Sequence, residues 1–206
     1  MELTFEESRV LGVLLEKEKS TPEYYPMTVN GILTACNQKS ARNPVVQFTE
    51  DVVVEAIDGL KKKGLVLTVS GGGSRSLKYK HNAGIVLDLE TSEEAILCLL
   101  LLRGPLTPGE IKSNSGRLYE FSDLAEVQER LESLRSREDA FVTQLPKLTG
   151  QKEARYAHLL CGEIDFEYLV EETPVLKSSQ YSELEAKIET LEARIAYLEE
   201  KLKDLL

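Results

Sequence analysis

The sequence predicts a mainly α-helical, α+β chain with small β-hairpins. Three observations carry that reading. Helix-capping strings recur between residues 4 and 135, β-prone runs flank a glycine cluster near residue 72, and the whole order then repeats. A strict heptad from Tyr181 adds a separate C-terminal helix.

Thr4-Phe5-Glu6-Glu7 is a capping box, and Val10, Leu11, Leu14 and Leu15 follow at helical spacing. A second helix is expected from Thr28, behind the breaker Pro26, with Val29, Ile32 and Leu33 on one face. A third starts at Thr49, buries Val53, Ile57 and Leu60, and ends in Lys61-Lys62-Lys63-Gly64. Cations in a last turn followed by glycine are what a helix C-terminus favours. Leu65–Val69 and Leu77–Tyr79, separated by Ser70-Gly71-Gly72-Gly73-Ser74, then read as a hairpin.

The order returns. Thr91-x-x-Glu94 is expected to cap a helix carrying Ile96 to Leu102, and Thr107-Pro108-Gly109-Glu110 caps the next. Ser122 opens a third with Val127, Leu131 and Leu134, each 74 residues after Val53, Ile57 and Leu60. Phe141–Thr143 and Arg155–His158 frame the second hairpin. Three helices and a two-stranded wing, twice over, is the winged-helix plan, with modules at 1–85 and 86–165. Ile96 to Leu102 is apolar all round, so this helix is expected between the modules, buried on both sides.

After a linker at 166–180, residues 181–206 read as a coiled coil. Tyr181, Ile188, Ile195 and Leu202 fall at a, and Leu184, Leu191, Leu198 and Leu205 at d. Isoleucine at a with leucine at d favours two parallel strands. Lys187 would meet Glu192 and Arg194 would meet Glu199 across a parallel homodimer, whereas an antiparallel pair sets like charges together. Leu184, Ile188, Leu191, Ile195, Leu198 and Leu202 are therefore the expected dimerisation residues; the alternative is a helix folded back on its own body.

Several strings stand in a fixed order: TPEYYP, TACNQKSARNPV, TVSGGGSRSLKY, LLLLRGPLTPGEI, RLYEFSDLAEV and KEARYAHLL. Together, over roughly residues 8–160, they resemble the YceH-like bacterial family. The resemblance implies a tandem winged-helix fold, in agreement with the pattern. It supplies no established activity, so it implies no catalytic residues; a regulatory role is fold-level analogy.

Composition narrows the function classes. The opening MELTFEESRV is acidic where a secretory leader is basic, and the longest apolar run, AILCLLLL, has eight residues against the ~20 of a membrane span. Three scattered cysteines imply no disulfide framework, and a cytoplasmic protein is expected. His81 and His158 are the only histidines, no CxxC or HxxxH occurs, and Gly71–Gly73 lacks the Lys-Ser/Thr of a phosphate loop. The sequence thus predicts no enzyme, metal or cofactor.

Charge points instead to a binding protein. Net charge is -10, yet residues 1–85 hold 11 Lys/Arg against 10 Asp/Glu, and residues 39–80 hold 8 against 4. A winged helix normally inserts its third helix into the DNA major groove. Here that helix carries Glu50, Asp51, Glu55 and Asp58, and its counterpart Asp123, Glu126, Glu129 and Glu132, which repel phosphates. The expected contact with duplex DNA therefore moves to the connection before the third helix and to the wing. Its candidate residues are Asn37, Gln38, Lys39, Arg42, Lys61, Lys62, Arg75, Lys78 and Lys80. The rival reading is an adaptor whose acidic helix faces dock a basic protein partner, with TACNQKSARNP a bonded structural turn. In either reading Cys36 is a packed helix-end residue, and the aromatics of Arg117-Leu118-Tyr119-Glu120-Phe121 plug the second core.

Overall fold

The structure, a computed structural model, describes residues 1–70, 76–147, 151 and 153–162. The expected linker, coiled coil and dimerisation residues, together with Arg75 and most of the first glycine cluster, lie outside the described residues. What is described holds seven α-helices and two two-stranded antiparallel sheets.

Helix α1 (Phe5–Ser20) opens on the expected box: Thr4 Oγ1 accepts from the Glu7 N–H, and the Glu7 carboxylate accepts from the Thr4 N–H. A 3-10 turn, Pro22–Tyr24, leads to α2 (Val29–Cys36), capped by Thr28. Helix α3 (Glu50–Lys62) ends at Gly64, whose φ of 74° suits a residue without a Cβ. Strands β1 (Val66–Val69) and β2 (Lys78–His81) pair as the first hairpin, with Val66 opposite His81. A short helix, α4 (Ala83–Val86), precedes α5 (Thr91–Arg103).

The second set comprises α6 (Pro108–Asn114), α7 (Leu124–Arg135), β3 (Val142–Gln144) and β4 (Tyr156–His158). The 74-residue repeat is a repeat of cores: Val53, Ile57, Leu60, Val127, Leu131 and Leu134 are all buried. A further repeat joins each hairpin to the residue before its helix. Met27 pairs with Tyr79 through two backbone hydrogen bonds, and Leu106 pairs likewise with Tyr156. Both sit in a Pro-apolar-Thr string, Pro26-Met27-Thr28 and Pro105-Leu106-Thr107.

Two helix starts differ from the expectation. The N-cap of α5 is Glu90, not Thr91, because Glu94 is engaged elsewhere, 3.9 Å from Lys19. Glu93, buried, closes the box on the Glu90 N–H and also accepts from Ser133 and Arg137. The N-cap of α7 is Asp123, whose carboxylate accepts from the Glu126 N–H, while Ser122 donates to the Glu126 side chain.

Helix α5 is the seam. Its Cys98, Leu101 and Leu102 belong to the core of α1, α2, α3 and β1, whereas Ile96, Leu97, Leu99 and Leu100 belong to that of α6, α7 and β3. Gly12 lets α1 approach it: a Cβ there would lie 3.0 Å from Leu101 Cβ and from the Leu102 side chain. Across the same contact the Cys98 thiol donates to the Gly12 carbonyl at 3.5 Å. The segment after β4 returns to the first core too, where the Leu3 N–H donates to the Leu160 carbonyl and Leu160 is buried. All described residues fall in one compact unit, Met1–Ile164.

Candidate nucleic-acid interface

The connection from α2 to α3, residues 37–49, is held from inside. Asn37 brackets the Phe48 backbone, accepting from its N–H at 2.8 Å and donating to its carbonyl at 3.0 Å. Phe48 in turn meets Phe5 edge-on, with ring centroids 6.1 Å apart. Arg42 points inward and its side chain is fully buried. Its guanidinium donates to both Glu16 oxygens at 3.0 and 2.6 Å, to the carbonyls of Ala35 and Ala41, and to Gln38 Oε1. Ala41, at φ 57°, makes the bend that turns Arg42 in. Burial alone would raise the Glu16 carboxyl, but the hydrogen bonds and charge of Arg42, with help from Lys17, hold it below the usual carboxylate range. Further along, the Asn43 N–H donates to the Leu102 carbonyl and Arg9 to the Pro44 carbonyl.

Two of the expected contact residues are thereby engaged inside the fold. Arg42 and Asn37 are scaffold, because a loop without an acid of its own draws its buried cation to Glu16, 26 residues upstream. Gln38 also gives its carbonyl to Arg42. Lys39 stays exposed.

Two grooves flank this loop, with Lys17, Thr21 and Gln38 as a shared ridge. On the wing side, about 490 Å³ opens between Tyr24, Thr28, Gly31 and Thr34 and the β2 residue Lys78. On the other side, about 800 Å³ separates the loop, including Lys39, from the segment after α6. Cys98, Leu99 and Leu102 of α5 line that space together with Arg103 and Arg117. The structure thus gathers Gln38, Lys39 and Lys78 around one ridge. It leaves Lys80, Lys61 and Lys62 exposed but outside both grooves, with Lys61 paired to Asp58 at 3.1 Å. Lys17, Arg103 and Arg117 are the cations that sequence reasoning missed. The only signal for Arg117 was its place in the repeat, in the segment that precedes the third helix of its set.

The outer face of α3 is acidic as expected, with Glu50, Asp51, Glu55 and Asp58 all exposed around Val54. Burial pushes the Cys36 thiol up to about 12, which leaves it protonated and unreactive at neutral pH. His81 ties the first hairpin to α1: its Nε2 lies 3.0 Å from Glu18, within ion-pair reach but not aligned as a hydrogen bond. Its backbone N–H donates to the Tyr25 hydroxyl at 2.7 Å. No described helix is long and apolar enough to cross a membrane.

Residues 3–151, which carry the loop, both grooves and the seam helix, match the family model described as protein of unknown function, DUF480. The chain belongs to this family. Proteins called UPF0502 protein YceH from Salmonella arizonae, Salmonella paratyphi B and Salmonella typhimurium are each 46% identical over 210 residues, covering all of this chain and 96% of theirs. Likeness to these DUF480-family relatives extends over the C-terminal residues as well as the grooves.

Proposed function

We propose that this DUF480-family chain is a tandem winged-helix regulator that holds the duplex backbone across the Gln38 ridge and the wing-side groove rather than with its third helix. One observation carries the reading: Lys17, Lys39 and Lys78 converge on the Gln38 ridge, while the conventional recognition face, on α3, is acidic. The Glu16 carboxylate beside them is already neutralised by Arg42. Exposed Lys61, Lys62 and Lys80 extend the basic surface, and the heptad at 181–206 would double the contact as a parallel homodimer. Such a contact fixes position on DNA without reading bases, and it weakens steeply with salt.

The test is fluorescence anisotropy with a labelled duplex over a salt series. K39A/K78A should weaken binding roughly tenfold at about 50 mM salt and lower the log–log salt slope by about two, one per lost phosphate contact. E50Q/E55Q on α3 should leave binding equal or tighter. Unchanged affinity in K39A/K78A would refute the groove. A second reading, docking of a basic protein on the acidic α3 face around exposed Val54, is favoured if E50Q/E55Q alone abolishes a nuclease-resistant pull-down.

A further inference from the structure

The larger groove has a different chemistry from the first. It is a cleft of about 800 Å³ between the two loop segments, with Cys98, Leu99, Leu102 and Leu118 as apolar lining. That volume lies in the roughly 300–1,000 Å³ range of small-molecule sites. Four cations line it, Lys17, Lys39, Arg103 and Arg117, against one acid, Glu16. Glu16 is occupied by Arg42 in a bidentate pair and by Lys17 at 3.3 Å. Among the described residues the side chains of Lys39, Arg103 and Arg117 form no ion pair, in a chain whose net charge is -10. Hydroxyl and amide groups of Ser40, Ser113 and Asn114 stand on the same walls.

The geometry points to a binding site for a small amphipathic anion: a carboxylate or sulfonate head held by Arg103 and Arg117, and an apolar body laid against half-buried Leu118, above the floor that buried Leu99 and Leu102 close. Arginine suits the head because its planar fork meets two oxygens at once. An uncharged molecule of the same shape would offer those guanidiniums no charged partner. The site does not depend on DNA binding. It shares with the proposed DNA contact the ridge of Lys17, Thr21 and Gln38, and Lys39 beside it.

The full chain is titrated with anilinonaphthalene sulfonate, read by fluorescence, and the bound dye is competed with decanoate, decanol and acetate. Saturable dye binding is expected, displaced by decanoate and not by decanol or acetate at equal concentration. R103Q/R117Q should weaken decanoate competition roughly tenfold or more, and R135A, a cation on α7 that lines neither groove, should leave it unchanged. Ser113 is an exposed wall residue, so S113W should block the cleft while leaving both cores intact, as circular dichroism would verify. Absence of saturable dye binding, equal displacement by decanol, or parent-like competition in both R103Q/R117Q and S113W would each overturn the assignment. Duplex binding is measured on the same variants, so that failure of the DNA reading is seen separately from failure of this one.

Discussion

At the scale of single residues the Arg42–Glu16 pair decides what the 37–49 loop is. Five donated hydrogen bonds leave that guanidinium no capacity for a phosphate. Removing one partner strands the other: with Arg42 fully buried and Glu16 largely so, R42A should cost about 3 kcal/mol in urea unfolding. E16Q should cost a similar amount at neutral pH, since it leaves Arg42 buried beside a neutral amide. The acid limb fixes the sign. Glu16 has its folded pKa lowered, so its contribution is complete above the unfolded value of about 4.3 and is lost as pH falls through the folded one. The stability gap between parent and E16Q should therefore narrow as pH falls from neutrality through the ordinary carboxylate range and below it. A gap that stays constant over that range would show that the pair is not what Glu16 contributes.

Among elements, the crossing of α1 and α5 rests on Gly12. A valine there meets the Leu101 Cβ and Leu102 side chain at about van der Waals overlap, and neither can retreat, since both are buried in the first core. Overpacking of this kind costs about 1–3 kcal/mol, and G12V should show it as a lower urea midpoint. Gly116, with open space around its Cβ direction, is the control, and G116A should stay within about 0.5 kcal/mol. Most elements were legible in the sequence because their determinants are local: Thr4, Thr28 and Thr107 as caps, Gly64 as a stop, and core residues at helical spacing. The direction of Arg42 was not, because it depends on a positive φ at Ala41 and on an acid on another helix. Arg103 and Arg117 were hidden for the same kind of reason. They line one cleft only because α5 and the segment after α6 close it together.

For the molecule as a whole, the repeat in the sequence suggests two modules, but the packing ties the two sets of elements together. The first core is incomplete without Cys98, Leu101, Leu102 and Leu160, all of which lie beyond residue 86. The second core uses the opposite faces of the same helix, so α5 cannot leave one core while staying in the other. Arg137 adds a clamp, donating to the Leu87 and Asp88 carbonyls that enter α5. Unfolding of this body should then be a single event. Tyr79 in the first hairpin and Tyr156 in the second are both half-buried, and the chain has no tryptophan, so Y79W and Y156W make independent fluorescence reporters. Both should report the same urea midpoint. Leu100 is fully buried in the second core, so L100A should cost about 2–5 kcal/mol and shift both midpoints equally. Should L100A move only the Y156W transition, the halves fold independently and α5 is a linker rather than a seam; if both move together, a ligand in the cleft beside α5 acts on a body that responds as one.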